Sequence, residues 1–385
     1  MRRLALIVAA SALALGGCKW FQNLGRKDNV EPPTPLATFA PTASVQQLWT
    51  ASAGKGAGTS GARMRPAVHD GRLYVAGVDG SVLALDAGSG RTLWTVRDKQ
   101  QRWSGGPAAS DDLVVVGSLD GSVQAFSAAD GSPRWSSRLD AEVITAPAIG
   151  TGLIAVRAQN GRLFGLDPAD GARKWVYEQA VPVLSLRGNS PPVIEGDLVY
   201  NGYDSGRVVA VRSSDGALAW TQMLAAAEGK TEVERLSDVD GELVVDAGEV
   251  IAASYRGQLA AFNADSGRPA WGRDMSSYAG VAVNARAVVV TDAEGNVWAF
   301  DRQGGANLWK QDGLLHRWLG APAIVGNHAV VGDLEGYVHW LDLDTGAFAA
   351  RERLSKKPIE SAPVVAGDVV YVEDVEGRIG AWRSP

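Results

Sequence analysis

The residue types that usually do chemistry are sparse in this chain and do not converge. Its four histidines, His69, His316, His328 and His339, are scattered, and no two have the His-x-x-x-His spacing of a helical metal pair. Neither a nucleophile elbow nor a phosphate-cradling loop is present, because the glycines precede strand-like runs rather than helix starts. Carboxylates are plentiful but sit mainly at turn positions. Asp342-Leu343-Asp344-Thr345-Gly346 has a faint likeness to a Ca²⁺ loop, yet it lacks the distal Glu. These patterns predict no catalytic residue, no metal site and no cofactor.

The one cysteine is the exception. Met1-Arg2-Arg3 precedes the apolar run from Leu4 to Gly17, and that run ends in Leu15-Gly16-Gly17-Cys18. It is too short to span a bilayer, which takes about 20 residues, but it suits a secretory leader. The ending resembles the bacterial lipobox, which implies acylation of Cys18 and cleavage before it. Two or more acyl chains make a stable anchor where one does not. Lys19, where Asp would favour retention in the inner membrane, implies the inner leaflet of an outer membrane. Residues 1–17 are thus expected to be a signal peptide. Residues 18–44, with Pro32, Pro33, Pro35 and Pro41, are expected to form a flexible tether.

The remainder is a repeat of about 42 residues. A phrase of turn, Gly and alternating apolar residues recurs at Gly80, Gly121, Gly161, Gly206, Gly257, Gly295, Gly336 and Gly377. Fourteen residues after the first six come Trp94, Trp135, Trp175, Trp220, Trp271 and Trp309. Fourteen residues before six of them come Pro66, Pro107, Pro147, Pro192, Pro322 and Pro363. Ala350 stands where the seventh repeat should carry its Trp, and no Pro precedes the fifth or sixth Gly.

Each unit divides into four short strands separated by Xaa-Gly turns, which is the pattern of a propeller blade. The third strand is apolar two and five residues after its Gly, positions of opposite parity, so both of its faces should be buried. The residue four after each Gly is small except at Trp340, leaving room for a bulky side chain from the next blade. The eighth repeat stops before its Trp strand, whereas Val45–Thr50 brings Trp49 with no repeat ahead of it. The expected fold is an all-β, eight-bladed propeller of four-stranded antiparallel blades over residues 45–385, closed by the N-terminal strand.

Composition agrees. With 46% hydrophobic and 21% charged residues the body is not disordered, and a net charge of −6 argues against nucleic acid as a partner. The phrase small-x-Asp-x-x-x-Gly-x-x-x-Trp, at Ala84–Trp94 and Ala299–Trp309, resembles quinoprotein repeats. That resemblance implies an alternative, a dehydrogenase using pyrroloquinoline quinone. Such enzymes place Ca²⁺ and an Asp beside the quinone, often with a vicinal disulfide that a single Cys cannot make. A third alternative, a propeller binding envelope polysaccharide, would expose aromatic side chains on one face, with Trp103 and Trp318 as candidates.

Two inter-blade connections depart from the repeat. The gap from Trp175 to Pro192 is 17 residues and that from Trp220 to Leu243 is 23, against 12 or 13 in the four regular ones. Long loops on adjacent blades are where a repeat protein tends to bind. The first carries Leu184-Ser185-Leu186-Arg187-Gly188, and the second carries Arg235-Leu236-Ser237-Asp238-Val239-Asp240. With the lipobox, the eight repeats, Leu314-Leu315-His316-Arg317 and Glu335-Gly336-Tyr337-Val338-His339-Trp340, these motifs resemble the BamB family. Members are lipoprotein subunits of the machinery that folds and inserts outer-membrane β-barrels. The resemblance implies a non-enzymatic scaffold in the BAM complex, lipid-anchored at Cys18 to the outer membrane and facing the periplasm. It further implies that the scaffold binds the POTRA domains of BamA and acts on unfolded outer-membrane proteins. Leu184, Leu186 and Arg187 would supply apolar anchors and a cation, with Asp238 and Asp240 as acidic partners.

Overall fold

The computed structural model describes residues 31–186, 190–225, 230, 231, 233 and 236–385. The signal-peptide and lipidation readings, including Cys18, therefore lie outside the described residues, as does Arg187. Each repeat forms one antiparallel sheet of four strands, and eight such sheets make the ring. In the first blade the strands are Ala67–His69, Arg72–Ala76, Ser81–Asp86 and Thr92–Arg97, paired in chain order from the axis outward. The third strand is buried on both faces over Ser81–Leu85, as the parity of its apolar positions requires. The outer strand alternates between solvent and the neighbouring blade.

Closure follows the expected route. Gln46–Ser52 pairs with Arg378–Arg383, and Trp49 lies opposite Ala381. The first strand of the ring thus becomes the outer strand of the last blade, so no blade is terminal.

Seven tryptophans fasten seven of the eight blades to the next. Trp49, Trp94, Trp135, Trp175, Trp220, Trp271 and Trp309 each donate their indole N–H to a backbone carbonyl of the following blade, at 2.7 to 3.1 Å. Trp175 shows the two steric demands that accompany this bond. Gly216 in the next blade has φ 70°, and a Cβ there would lie 2.7 Å from the indole. Gly165 lies directly opposite Trp175 in the same sheet. The small residue of the third strand therefore makes room for the Trp of its own blade's outer strand. The sequence pattern suggested a side chain from the next blade instead.

The seventh blade inverts the pair. Trp340 stands on the third strand opposite Ala350 on the outer strand. It packs against Trp382 of blade eight with ring centroids 6.2 Å apart, both indoles being fully buried. The apparent loss of the repeat Trp is thus an exchange of sides across one cross-strand pair.

Residues 31–44 contain no helix or strand but lie along blade seven. Thr34 and Leu315 share a backbone bond of 3.0 Å, and the amides of Thr42 and Ala43 donate to the Ala349 carbonyl at 2.9 and 3.1 Å. Phe39 stacks on Phe348 at 5.5 Å. Beneath this strap, Arg317 donates to the Thr34 carbonyl (2.9 Å) and Asp333 (2.8 Å), and Arg351 donates to the Ala37 carbonyl (2.9 Å) and His339 Nδ1 (3.1 Å).

Trp220→Ala, which removes an 8% exposed indole together with its inter-blade bond, should cost about 3–5 kcal/mol in urea unfolding. Trp340→Ala, which removes a fully buried indole, should cost a similar amount, about 3–5 kcal/mol.

Candidate partner-binding site

The loops joining one blade to the next emerge on the same face as the turns before the third strands. In the first three blades, Asp98, Leu139 and Gln179 donate their amides to the carbonyls of Gly80, Gly121 and Gly161 at 2.8 to 3.1 Å. On this face the two long loops lie side by side. Leu184 and Leu186 are each 40% exposed, and Val183 is 93% exposed. Val181, Met223 and Val233 add further exposed apolar surface in the same sector.

A hydrogen bond between described residues joins the two loops. The Leu186 amide donates to Asp238 Oδ2 at 2.5 Å. Asp238 is in turn held by its backbone, since its carbonyl accepts from Tyr255 N at 2.8 Å. Val239 packs against Gly202, and its amide bonds the Tyr203 carbonyl at 3.1 Å. From the other side, Asn201 Nδ2 donates to the Ser190 carbonyl at 2.7 Å.

Of the six residues predicted from sequence, the structure brings Leu184, Leu186, Asp238 and Asp240 into one place. The two acids do not stand at the surface, however: Asp238 is 0% and Asp240 3% exposed. Their carboxylates face inward, where they meet a third acid, Asp204. Burial pushes the Asp238 carboxyl up to about 6, with Asp204's charge adding to it, although the Leu186 amide pulls the other way. Burial raises Asp240 well above the ordinary carboxylate range, and the neighbouring Asp238 and Asp204 raise it further.

Arg157 is a fully buried cation of this interior. It is 1% exposed, lies 3.6 Å from Asp204 and stacks over the Tyr203 ring at 4.5 Å. Sequence reasoning missed it, although a signal existed. Four residues before the repeat Gly the chain carries Ala, Gly or Thr in six units, and only Arg157 and Glu373 are charged.

Beside the loops the axis opens into a cavity of about 130 Å³ lined by Arg63, Arg65, Leu186, Asp240 and Glu242. Arg65, entering blade one, forms two 2.5 Å bonds to Glu242, entering the diametrically opposite blade five. This strut crosses the mouth of the channel.

A family model described as outer membrane protein assembly factor BamB matches residues 39–100 and 78–311. The outer membrane protein assembly factor BamB of Xanthomonas campestris pv. campestris is 40% identical, over 99% of this chain and 97% of that one. This chain belongs to the BamB family. The crystal structure of BamB from Moraxella catarrhalis superposes with a TM-score of 0.81 at 28% identity, covering 88% of this chain and all of that one. The quinohemoprotein alcohol dehydrogenase ADHIIG of Pseudomonas putida HK5 has a TM-score of 0.71 at 14% identity, over 91% of this chain and 78% of its own. That likeness is one of fold.

Three of the four histidines and the acids of the Ca²⁺-like turn are engaged structurally in this BamB-family ring. Among the described residues no group of three His, Cys, Asp or Glu could hold a metal. Asp342 accepts from Thr345 within its turn, and Asp344 pairs with Arg286 at 3.0 Å. His339 is buried on Asp333 at 2.9 Å, while His69 and His316 pair with Asp111 and Glu31 at 2.7 and 3.0 Å. Of the two aromatic candidates for sugar stacking, Trp103 is buried and only Trp318 is exposed.

The raised carboxyls give a pH dependence of defined sign. Asp238 holds its proton more tightly in the folded chain than at its ordinary value of 3.8, so stability falls as pH rises from there to about 6. Thermal unfolding should therefore shift upward on acidifying from about pH 7 to about pH 5. Asp238→Asn, which keeps an acceptor for the Leu186 amide, should lose part of that rise.

Proposed function

We propose that this protein serves the BAM complex as a non-enzymatic scaffold that docks on the periplasmic POTRA domains of BamA through its two long loops. The observation that carries this reading is the Leu186–Asp238 bond. It unites two loops from consecutive inter-blade connections into one apolar projection, with Leu184 and Leu186 outward and the acids beneath. An exposed apolar anchor on a preformed support suits a docking hot spot, because little conformational entropy is lost on binding. Asp238 acts in this reading by holding the loops, Asp240 lies buried beneath them, and Leu184, Leu186 and Arg187 act by touching the partner. Cys18 carries the lipid that tethers the scaffold to the periplasmic leaflet of the outer membrane, where unfolded barrel proteins arrive.

Leu186→Glu should weaken BamA capture by about thirtyfold or more, the loss of a hot-spot anchor, and Arg187→Glu should weaken it less. Co-purification from solubilised envelopes, with thermal unfolding as the control for an intact ring, measures both. A photoreactive residue at position 186 should crosslink to a POTRA domain in intact envelopes. Recovery of BamA unchanged by Leu186→Glu would remove these loops from the interface.

A further inference from the structure

We propose that the sector of the loop face formed by blades six to eight docks on an anionic membrane surface. Trp318 sits at headgroup level, and Arg353, Lys356, Lys357 and Arg378 face lipid phosphates. The inference rests on the reading of Cys18 as the lipid attachment point and adds a second, non-covalent contact to it.

Trp318 is held outward by its own loop. It is 62% exposed, and both it (φ 51°) and His316 (φ 59°) have left-handed backbones, which residues other than glycine adopt at a cost. Between them Arg317 is 2% exposed and points inward, bonded to Asp333, Glu335 and the Thr34 carbonyl. With Arg317 locked in, the next side chain is forced out. A rigid indole with an apolar body and one N–H donor suits the boundary between headgroups and acyl chains.

Cations adjoin it through the same network. Glu335, which receives Arg317, also offers its carbonyl to Arg353 at 3.2 and 3.1 Å. Arg353, Lys356, Lys357 and Arg378 line one groove at the junction of blades seven and eight, and all four are exposed. Lys357 pairs with Glu376 at 2.6 Å, whereas Lys356 and Arg378 form no ion pair among the described residues. The groove sets these four cations against Asp374 and Glu376, a local excess of positive charge on a chain whose net charge is −6, so an anionic surface is attracted here more than elsewhere.

The tether selects the occupant. Glu31 binds His316 at 3.0 Å, two residues from Trp318, and the strap from Thr34 to Ala43 fastens the chain to blade seven. Only twelve residues separate Cys18 from Glu31, a reach of at most about 45 Å. The tether therefore leaves the ring beside the exposed indole and the cations, and anchoring there raises their effective concentration at the bilayer. Leu184 and Leu186 belong to the loops of blades three to five across the ring, so membrane and protein partner need not compete.

The test uses the mature lipoprotein in vesicles of phosphatidylethanolamine and phosphatidylglycerol doped with a headgroup-photoreactive phosphatidylglycerol. Adducts should map to residues 316–318 and 353–357. The combined variant Trp318→Ala, Lys356→Glu, Lys357→Glu should lower that labelling by roughly fivefold or more, with an unchanged thermal midpoint. Labelling of the unaltered protein should persist in excess inorganic phosphate, which separates a lipid surface from a free-anion site. Adducts spread evenly around the ring, adducts confined to residues 184–186, or labelling indifferent to the variant would each overturn the proposal. So would protein rather than lipid crosslinks from position 318 in intact envelopes. The mass of the N-terminal peptide tests acylation of Cys18 separately, so failure of the anchor and failure of the docking surface give different results.

Discussion

The ring depends on one contact made seven times: an indole laid over a glycine of the next blade, with its N–H bonded to that blade's backbone. A four-stranded sheet cannot bury its own faces, so each blade is stable only against its neighbours. The indole supplies area, direction and register together. It needs a small residue opposite it, a glycine beneath it and a carbonyl within reach. These three requirements account for much of the periodic Gly and Ala. Where blade seven exchanges Trp340 for Ala350 the contact changes form, and that is also the blade along which the N-terminal strap lies.

A closed ring frees its loops from structural duty in most places and concentrates interest where they lengthen. The connections near Leu186 and Asp238 are supported by polar groups from blades three and four, namely Arg157, Asn201 and Asp204. Three buried carboxyls close together favour their protonated forms, so this interior contributes specificity of shape at some cost in stability at neutral pH. The Arg65–Glu242 strut across the axis further stiffens the same face. A scaffold gains from such stiffness because its docking surface is already arranged before the partner arrives.

The repeat Gly at 80 to 377 and the Trp fourteen residues later made blade number, strand order and the closing strand legible, because the same local phrase had to be solved eight times. The long loops were legible for the converse reason, as departures from a rule. The sides on which Asp238 and Asp240 face were not. Their run of Leu236 to Asp240 has the composition of an exposed turn, and only the ring wall beneath it buries them. The partner of Leu186 could not be read either, since a backbone amide has no sequence signature and its acceptor lies 52 residues away.

The sequence by itself thus determined what local periodicity encodes: eight blades, closure through the N-terminal strand around Trp49, and two irregular loops on neighbouring connections. Tertiary structure alone decided which charges are buried, that residues 31–44 lie on blade seven, and that Trp103 is hidden while Trp318 is exposed. The physical reason is range. Strand, turn and repeat register come from neighbours along the chain. Burial, ion pairing and exposure come from blades far apart in sequence that meet only when the ring closes.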